Sequence, residues 1–261
     1  MTELAELIEI ESEKAINASP CRPIRKTVYT LNINNYAPNI TAITYPLIAA
    51  WCKKIGAEFS IITERKFPEW PIVYEKLQIY EKGRLDRNDW NIYVDSDAMI
   101  HPEMFDPTEQ MSKDTVAHNG KDFCGVRWKY DNYFRRDGRN IGSCNWFTIA
   151  SDWCLDLWHP LEDLTPDEAF ANINLVVGEI NSGVIDKQHL IDDYTLSRNI
   201  ARFGLKHTTL IDMCEKLGLQ HTDQNGRKIR ETPYLWHTFM QTEAVKLEKM
   251  KGVLKTWGLE R

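Results

Sequence analysis

Trp90-Asn91-Ile92-Tyr93-Val94-Asp95-Ser96-Asp97-Ala98-Met99-Ile100 is the stretch whose reading decides the fold. Its first half is β-branched and aromatic, and so short an apolar run reads as a buried strand. Asp95 and Asp97 stand at the end of that strand, where a parallel sheet opens into a ligand crevice. On extended backbone, residues two apart face the same side. The two carboxylates can therefore converge on one divalent cation across Ser96. Carboxylate oxygens suit hard ions such as magnesium or manganese. A solvated turn after a strand would carry the same three residues, so the flanking chain has to decide between the two readings.

Two strand–helix units precede the stretch. Lys26 to Ile33 reads as the first core strand, and Asn32, Asn34, Asn35 and Tyr36 stand at its end. That edge either faces the crevice or turns the chain and caps the next helix. Pro38 to Gly56 repeats Ile43, Leu47, Trp51 and Ile55 at helical spacing, with Pro46 inside as a possible kink. Glu58 to Thr63 is the second strand, joined by a right-handed crossover. Pro71 to Lys82 is the next helix, with Val73, Leu77 and Tyr80 on one face and Lys76 off it.

Beyond the aspartates, strands are expected at 123–126, at the end of 140–150 and at 205–211. Helices are expected from Ser151-Asp152 to Trp158, from Thr165 to about Asn181, from Ile191 to Phe203, and from Thr242 to Lys255. Asp192 and Asp193 open the third of these, where the helix dipole favours acids. Leu4, Leu7, Ile8 and Ile16 mark a modest amphipathic helix near the N-terminus. Strands alternating with helices specify an α/β fold with a mostly parallel central sheet. The expected division is an N-terminal helical extension over 1–22, a catalytic domain over 23–240, and a C-terminal helix over 241–261 packed on that domain.

With 261 residues and 43% hydrophobic content, the chain can build a full core. A net charge of −6 creates no global attraction for nucleic acid. Locally, 127–139 mixes five basic residues with four aromatics, a composition that can contact phosphates, bases or sugar rings, or simply pack in an exposed loop. The six cysteines show no zinc spacing, which suits free thiols in a reducing compartment. No apolar run approaches the roughly 20 residues of a membrane span. A cytoplasmic protein is the expectation.

The motif order over residues 27 to 240 resembles the GT-A-fold glycosyltransferases, which use nucleotide-sugar donors. Haloacid-dehalogenase phosphatases also place Asp-x-Asp after an apolar strand, but near the start of the catalytic core and with Thr or Val next. Here Ala98 and Met99 follow, and two βα units come first. The resemblance implies a single GT-A-like (Rossmann-like) domain. It implies donor base and ribose contacts from Thr30, Asn32 and Tyr36. Lys76 or Arg84 would lie near the donor phosphates, with Asp95 and Ser96 also on the donor side. Mn2+ or Mg2+ would be held by Asp95, Asp97 and a late histidine, His237; the glycine that follows this histidine in some subfamilies is absent.

In inverting members an acid at a helix start takes the acceptor proton, a role implied for Asp193 or Asp192, which can equally be plain helix caps. Asn145 and Trp146 are implied acceptor contacts. The default donor is a UDP-sugar. The acceptor, whether glycan, protein, lipid or modified nucleic acid, stays open. So do two other classes: a metal-dependent phosphatase or nucleotidyltransferase using the same aspartates, and a non-catalytic carbohydrate- or nucleic-acid-binding protein.

Overall fold

The computed structural model describes residues 22–119, 146–173, 187–219, 233–237 and 241–260. The expected N-terminal helix, the 123–126 strand, the basic-aromatic stretch and Asn145 lie outside the described residues.

A six-stranded sheet is the centre of the molecule, with strand order β2-β1-β3-β6-β5-β7. The strands are β1 Lys26–Leu31, β2 Glu58–Ile62, β3 Trp90–Val94, β5 Thr115–His118, β6 Phe147–Ser151 and β7 Lys206–Thr209. β1 pairs in parallel with β2 and β3, and β5 in parallel with β7. β6 runs against both of its neighbours, so five strands share one direction. A second, two-stranded antiparallel sheet joins β4, Met99–Ile100, to β8, Leu235–Trp236.

Alternation along the strands divides the core in two. Val28, Ile92 and Val94 pack beneath the long helix α1, Pro38–Ile55, against Ile48 and Trp51. Tyr29, Leu31 and Tyr93 point to the opposite layer. There they meet a 3-10 helix over Ile72–Gln78 that continues into α2, Ile79–Leu85, together with α4, Ile191–Arg202. Between these in chain order lies α3, Pro166–Asn172, opened by a capping box: Thr165 Oγ1 accepts from the Glu168 N–H and Glu168 Oε2 from the Thr165 N–H. A third cluster seats the last helix, α6, Glu243–Thr256, on α1 through Ile40, Met99 and Met250. No helix among the described residues is long and apolar enough to cross a membrane.

Several elements depart from the sequence reading. The helix expected from Thr165 to about Asn181 ends at Asn172, where Ile173 turns extended, and the helix expected from Ser151-Asp152 to Trp158 is a 3-10 helix, Asp152–Trp158. Residues 72–78 form a 3-10 rather than an α-helix. Its three-residue turn aligns Val73, Lys76 and Ile79, so Lys76 turns inward and is 1% exposed. The strand expected over 205–211 stops at Thr209, whose side chain accepts from the Asp212 N–H and caps α5, Leu210–Lys216. β5 was not foreseen, because Thr115-Val116-Ala117-His118 is too short and mixed to carry a strand signal of its own.

α2 lies close on the sheet at Gly83. A Cβ there would come within 2.6 Å of Asn91 Oδ1 and 3.0 Å of Leu155 Cδ1. Asn91 is fully buried and its Oδ1 accepts from Asn88 Nδ2 at 3.1 Å, so it has little room to yield. Replacing a helical glycine by alanine ordinarily gains up to about 1 kcal/mol. Gly83→Ala is nevertheless expected to lower stability by about 1–3 kcal/mol through overpacking. A urea titration reads this as a lower midpoint; a raised midpoint would contradict the close approach.

Candidate functional site

β3 delivers Asp95 to the C-terminal edge of the sheet, and the chain turns there through Ser96 and Asp97 before β4. The turn is anchored from two sides. The Asp95 N–H donates to the Trp146 carbonyl at 2.9 Å, and Thr44 Oγ1 of α1 donates to the Ser96 carbonyl at 2.6 Å. Pairing of β4 with β8 places Met99 opposite Trp236. Continuing that register by one residue brings His237 beside the aspartates, although 140 residues separate it from Asp97. His237 Nε2 lies 3.2 Å from Asp97 Oδ1 and 3.8 Å from Asp95 Oδ2. Ligand atoms of Asp95, Asp97 and His237 all lie within 4.8 Å of one another. Two carboxylates and one imidazole form a donor set that manganese accepts.

Two lysines complete the charge cluster. Lys76, turned inward by the 3-10 helix, forms an ion pair with Asp192 at the start of α4 and lies 3.6 Å from Asp95 Oδ1. Its ammonium also sits over the Tyr93 ring, 4.4 Å from the centroid. Lys246 of α6 forms an ion pair with Asp97 Oδ2. Tyr93 OH donates to Asp95 Oδ1 at 2.6 Å.

The protonation balance follows from these contacts. Burial alone would push the Asp97 carboxyl up, but His237 and Lys246 outweigh it and hold it well below the usual carboxylate range. Burial opposes charge on Lys76 and Lys246 as well, yet Asp192 with Asp95 in one case and Asp97 in the other raise both ammonium groups above their ordinary value. Burial raises Asp192, and Lys76 pulls it only part of the way back.

These groups line a cavity of about 510 Å³. Leu31, Ile33, Ile72 and Val73 give it apolar lining, and Asp95, Asp97, Asp192, His189, His237 and Lys246 give it polar and charged lining, with Tyr36 hydrogen-bonded to Lys246. Tyr36 reaches the cavity from a loop in which Asn34, Asn35 and Ala37 all have positive φ, from 42° to 59°. Left-handed non-glycine residues are uncommon and cost energy, and they gather at ligand clamps.

The structure brings together Asp95, Ser96, Asp97, His237, Lys76, Tyr36 and Asp192. It does not bring Thr30 and Asn32 to the cavity. Strand alternation turns them toward the α1 side and leaves Leu31 and Ile33 as the lining pair. Arg84 is also elsewhere: it stacks on Tyr80 and lies 3.9 Å from Asp156, on the outer side of α2. Asp193 is fully buried but does not line the cavity, because successive residues on a helix point about 100° apart. Trp146 is buried against His237, rings 5.0 Å apart and 11° from parallel, and is not among the cavity residues. Sequence reasoning missed Lys246, Gln241 and His189. The signal for Lys246 was a lysine in register with Met250, Val253 and Trp257 on the inner stripe of α6.

No protein-family model matches the sequence, and no curated protein matches it significantly. Among solved structures, one similar fold is that of a glycosyltransferase involved in the glycosylation of the major capsid of PBCV-1. It superposes with a TM-score of 0.52 over 88% of this chain and 100% of that one, at 11% identity. A second match, A197 from STIV, covers 54% of this chain and 70% of that one at 12% identity; its TM-score of 0.32 carries no weight. The mixed α/β architecture, with its mostly parallel six-stranded sheet flanked by helices, is thus a glycosyltransferase-like fold.

Proposed function

We propose that the protein is a metal-dependent glycosyltransferase that moves a sugar from a nucleotide-diphosphate sugar, by default a UDP-sugar, to an acceptor hydroxyl. The observation that carries this reading is the convergence of Asp95, Asp97 and His237 at a cavity that also has apolar lining. The apolar side chains suit a nucleobase, and the charged groups suit a pyrophosphate. Three carboxylates, Asp95, Asp97 and Asp192, face two ammonium groups, Lys76 and Lys246. The deficit of positive charge is one that a divalent ion would fill, and the N/O donor set fits Mn2+ or Mg2+. When bound, such an ion supplies neutralisation of charge on the leaving diphosphate.

The chain's own groups supply the rest. Transfer breaks the bond between the anomeric carbon and the diphosphate oxygen and forms one to the acceptor oxygen, through an oxocarbenium-like state. Lys76 and Lys246 place fixed positive charge beside the diphosphate. If configuration inverts, the acceptor proton goes to Asp192, whose carboxyl is raised by burial and so is better matched to a base than an exposed aspartate. If it is retained, Asp192 orients the acceptor. Trp146 ties the site together, accepting from the Asp95 N–H through its carbonyl and stacking on His237 through its ring.

Three outcomes test this. UDP with manganese, at about a hundredfold excess over Kd, is expected to raise Tm by roughly 5–10 °C. Asp97→Asn is expected to abolish the manganese-dependent part of that shift. Phosphate release from simple esters without any nucleotide shift would instead favour a phosphatase. Trp146→Ala is expected to weaken manganese binding, read by electron paramagnetic resonance, by about 10-fold or more, while Trp146→Phe retains most of it. Equal affinities for wild type and Trp146→Ala would remove the positioning role.

The third outcome concerns acid. The folded-state pKa of Asp97 is depressed below its unfolded value, so its contribution is present above about pH 4 and is lost as pH falls toward the folded value. Wild-type stability is therefore expected to fall more steeply than that of Asp97→Asn between about pH 5 and 2, by on the order of 2 kcal/mol in total. Parallel acid titrations of the two proteins would contradict the depressed pKa.

A further inference from the structure

A second cavity of about 480 Å³ opens beside the first and shares Ile72, Val73 and His189 with it. The two therefore adjoin along these three residues. His189 stands three residues before Asp192, and both line the first cavity; Asp192, the carboxylate offered above as the proton acceptor, does not line the second.

The outer wall is built rather than loose. Glu75 is fully buried and accepts from the backbone N–H groups of Lys66 and Phe67 at 2.8 and 3.0 Å, from Arg65 Nε at 3.2 Å and from Gln78 Nε2 at 2.8 Å. Arg65 in turn donates through Nη2 to the carbonyls of Phe67, Pro68 and Trp70. A buried carboxylate with its acceptor sites filled fixes the loop over 65–71, and a satisfied polar network of this kind rigidifies the surface it supports. Trp70 is locked in the same way, stacked on Tyr74 with centroids 4.1 Å apart and planes 8° apart.

The groove's chemistry discriminates among acceptors. Glu69, Gln188 and His189 offer hydrogen bonds, and Trp70 and Phe170 offer aromatic surface. Arg65 is the one arginine or lysine among the described lining residues, and its Nε and Nη2 are already committed to Glu75 and to the loop carbonyls. A polyanion such as nucleic acid needs several uncommitted cations and would meet the Glu69 carboxylate. A lipid tail needs a continuous apolar wall, which Arg65, Glu69 and Gln188 interrupt. Aromatic surface beside planar hydrogen-bonding groups suits a neutral, hydroxyl-rich chain.

We infer that this second cavity is the acceptor subsite and that the acceptor is a neutral oligosaccharide, its reacting hydroxyl presented at His189 toward Asp192. The inference rests on the glycosyltransferase reading above and adds the acceptor class to it.

The test uses the full chain, a UDP-sugar panel with manganese, and a printed array of neutral oligosaccharides, phosphorylated oligosaccharides, single-stranded DNA and lipid vesicles. Wild type is expected to label neutral oligosaccharide spots. The double variant Glu69→Ala/Gln188→Ala, which replaces no residue lining the first cavity, is expected to raise the KM for the labelled oligosaccharide about tenfold. Donor hydrolysis and the UDP-induced Tm shift should stay within about twofold and a degree or two of wild type. An unchanged KM, or labelling confined to the charged or lipid spots, overturns the acceptor assignment while leaving the donor reading intact. Absence of any UDP shift in wild type overturns both. Phe170→Ala, on a different element, serves as a second variant should the double variant unfold, with the same KM shift expected.

Discussion

Everything at the ligand edge depends on how buried carboxylates are neutralised. Asp97 and Asp192 are nearly inaccessible, and an isolated ionised carboxylate in such a place would cost several kcal/mol. Lys246 and Lys76 offset that cost by ion pairing, for Asp192 only in part, and each arrives from a different element. The consequence is topological. α6 must dock on α1, and the 72–78 helix must turn its lysine inward, before the aspartates can be buried as anions. Removing one partner of either pair leaves an uncompensated buried charge, so the site and the fold are energetically the same object here.

The antiparallel β4–β8 pair plays the matching role for the histidine. Two short strands of two residues each would be negligible for stability alone. Their register nonetheless sets His237 within reach of both aspartates, and the Trp146 ring holds the imidazole plane. Trp146 precedes β6, the reversed strand of the main sheet, and its carbonyl receives the Asp95 N–H. Trp146 thus touches both the strand end that carries Asp95 and the histidine that follows the small sheet. Outer groups that orient ligands in this way commonly govern affinity as strongly as the ligands themselves.

On the proposed reading, the two adjoining cavities take the donor and the acceptor. The first is lined by apolar side chains as well as by charged groups. The second cavity is polar but nearly uncharged in its available groups, and its wall is stiffened by Glu75. Asp192 stands where the first cavity approaches the second, next to His189, which lines both.

The sequence by itself determined the alternation of strands and helices, the strand ending in Asp95 and Asp97, and the acidic start of α4. Each is a local pattern of period, propensity or capping that survives without knowledge of neighbours. Tyr36, Lys76 and His237 were legible as residues of suitable type in suitable order. Thr30 and Asn32 lie off the cavity, since which face of β1 meets it depends on what covers each side of the sheet. Only the tertiary structure decided between Lys76 and Arg84, because a 3-10 turn in place of an α-turn rotates the lysine inward. Only it lines the cavity with Asp192 rather than Asp193, and gives Trp146 its place behind His237. Lys246 lies 149 residues from the carboxylate it neutralises. No local pattern encodes a contact at that separation; it exists because burying an anion requires a cation at that point in space, from wherever in the chain the packing can bring it.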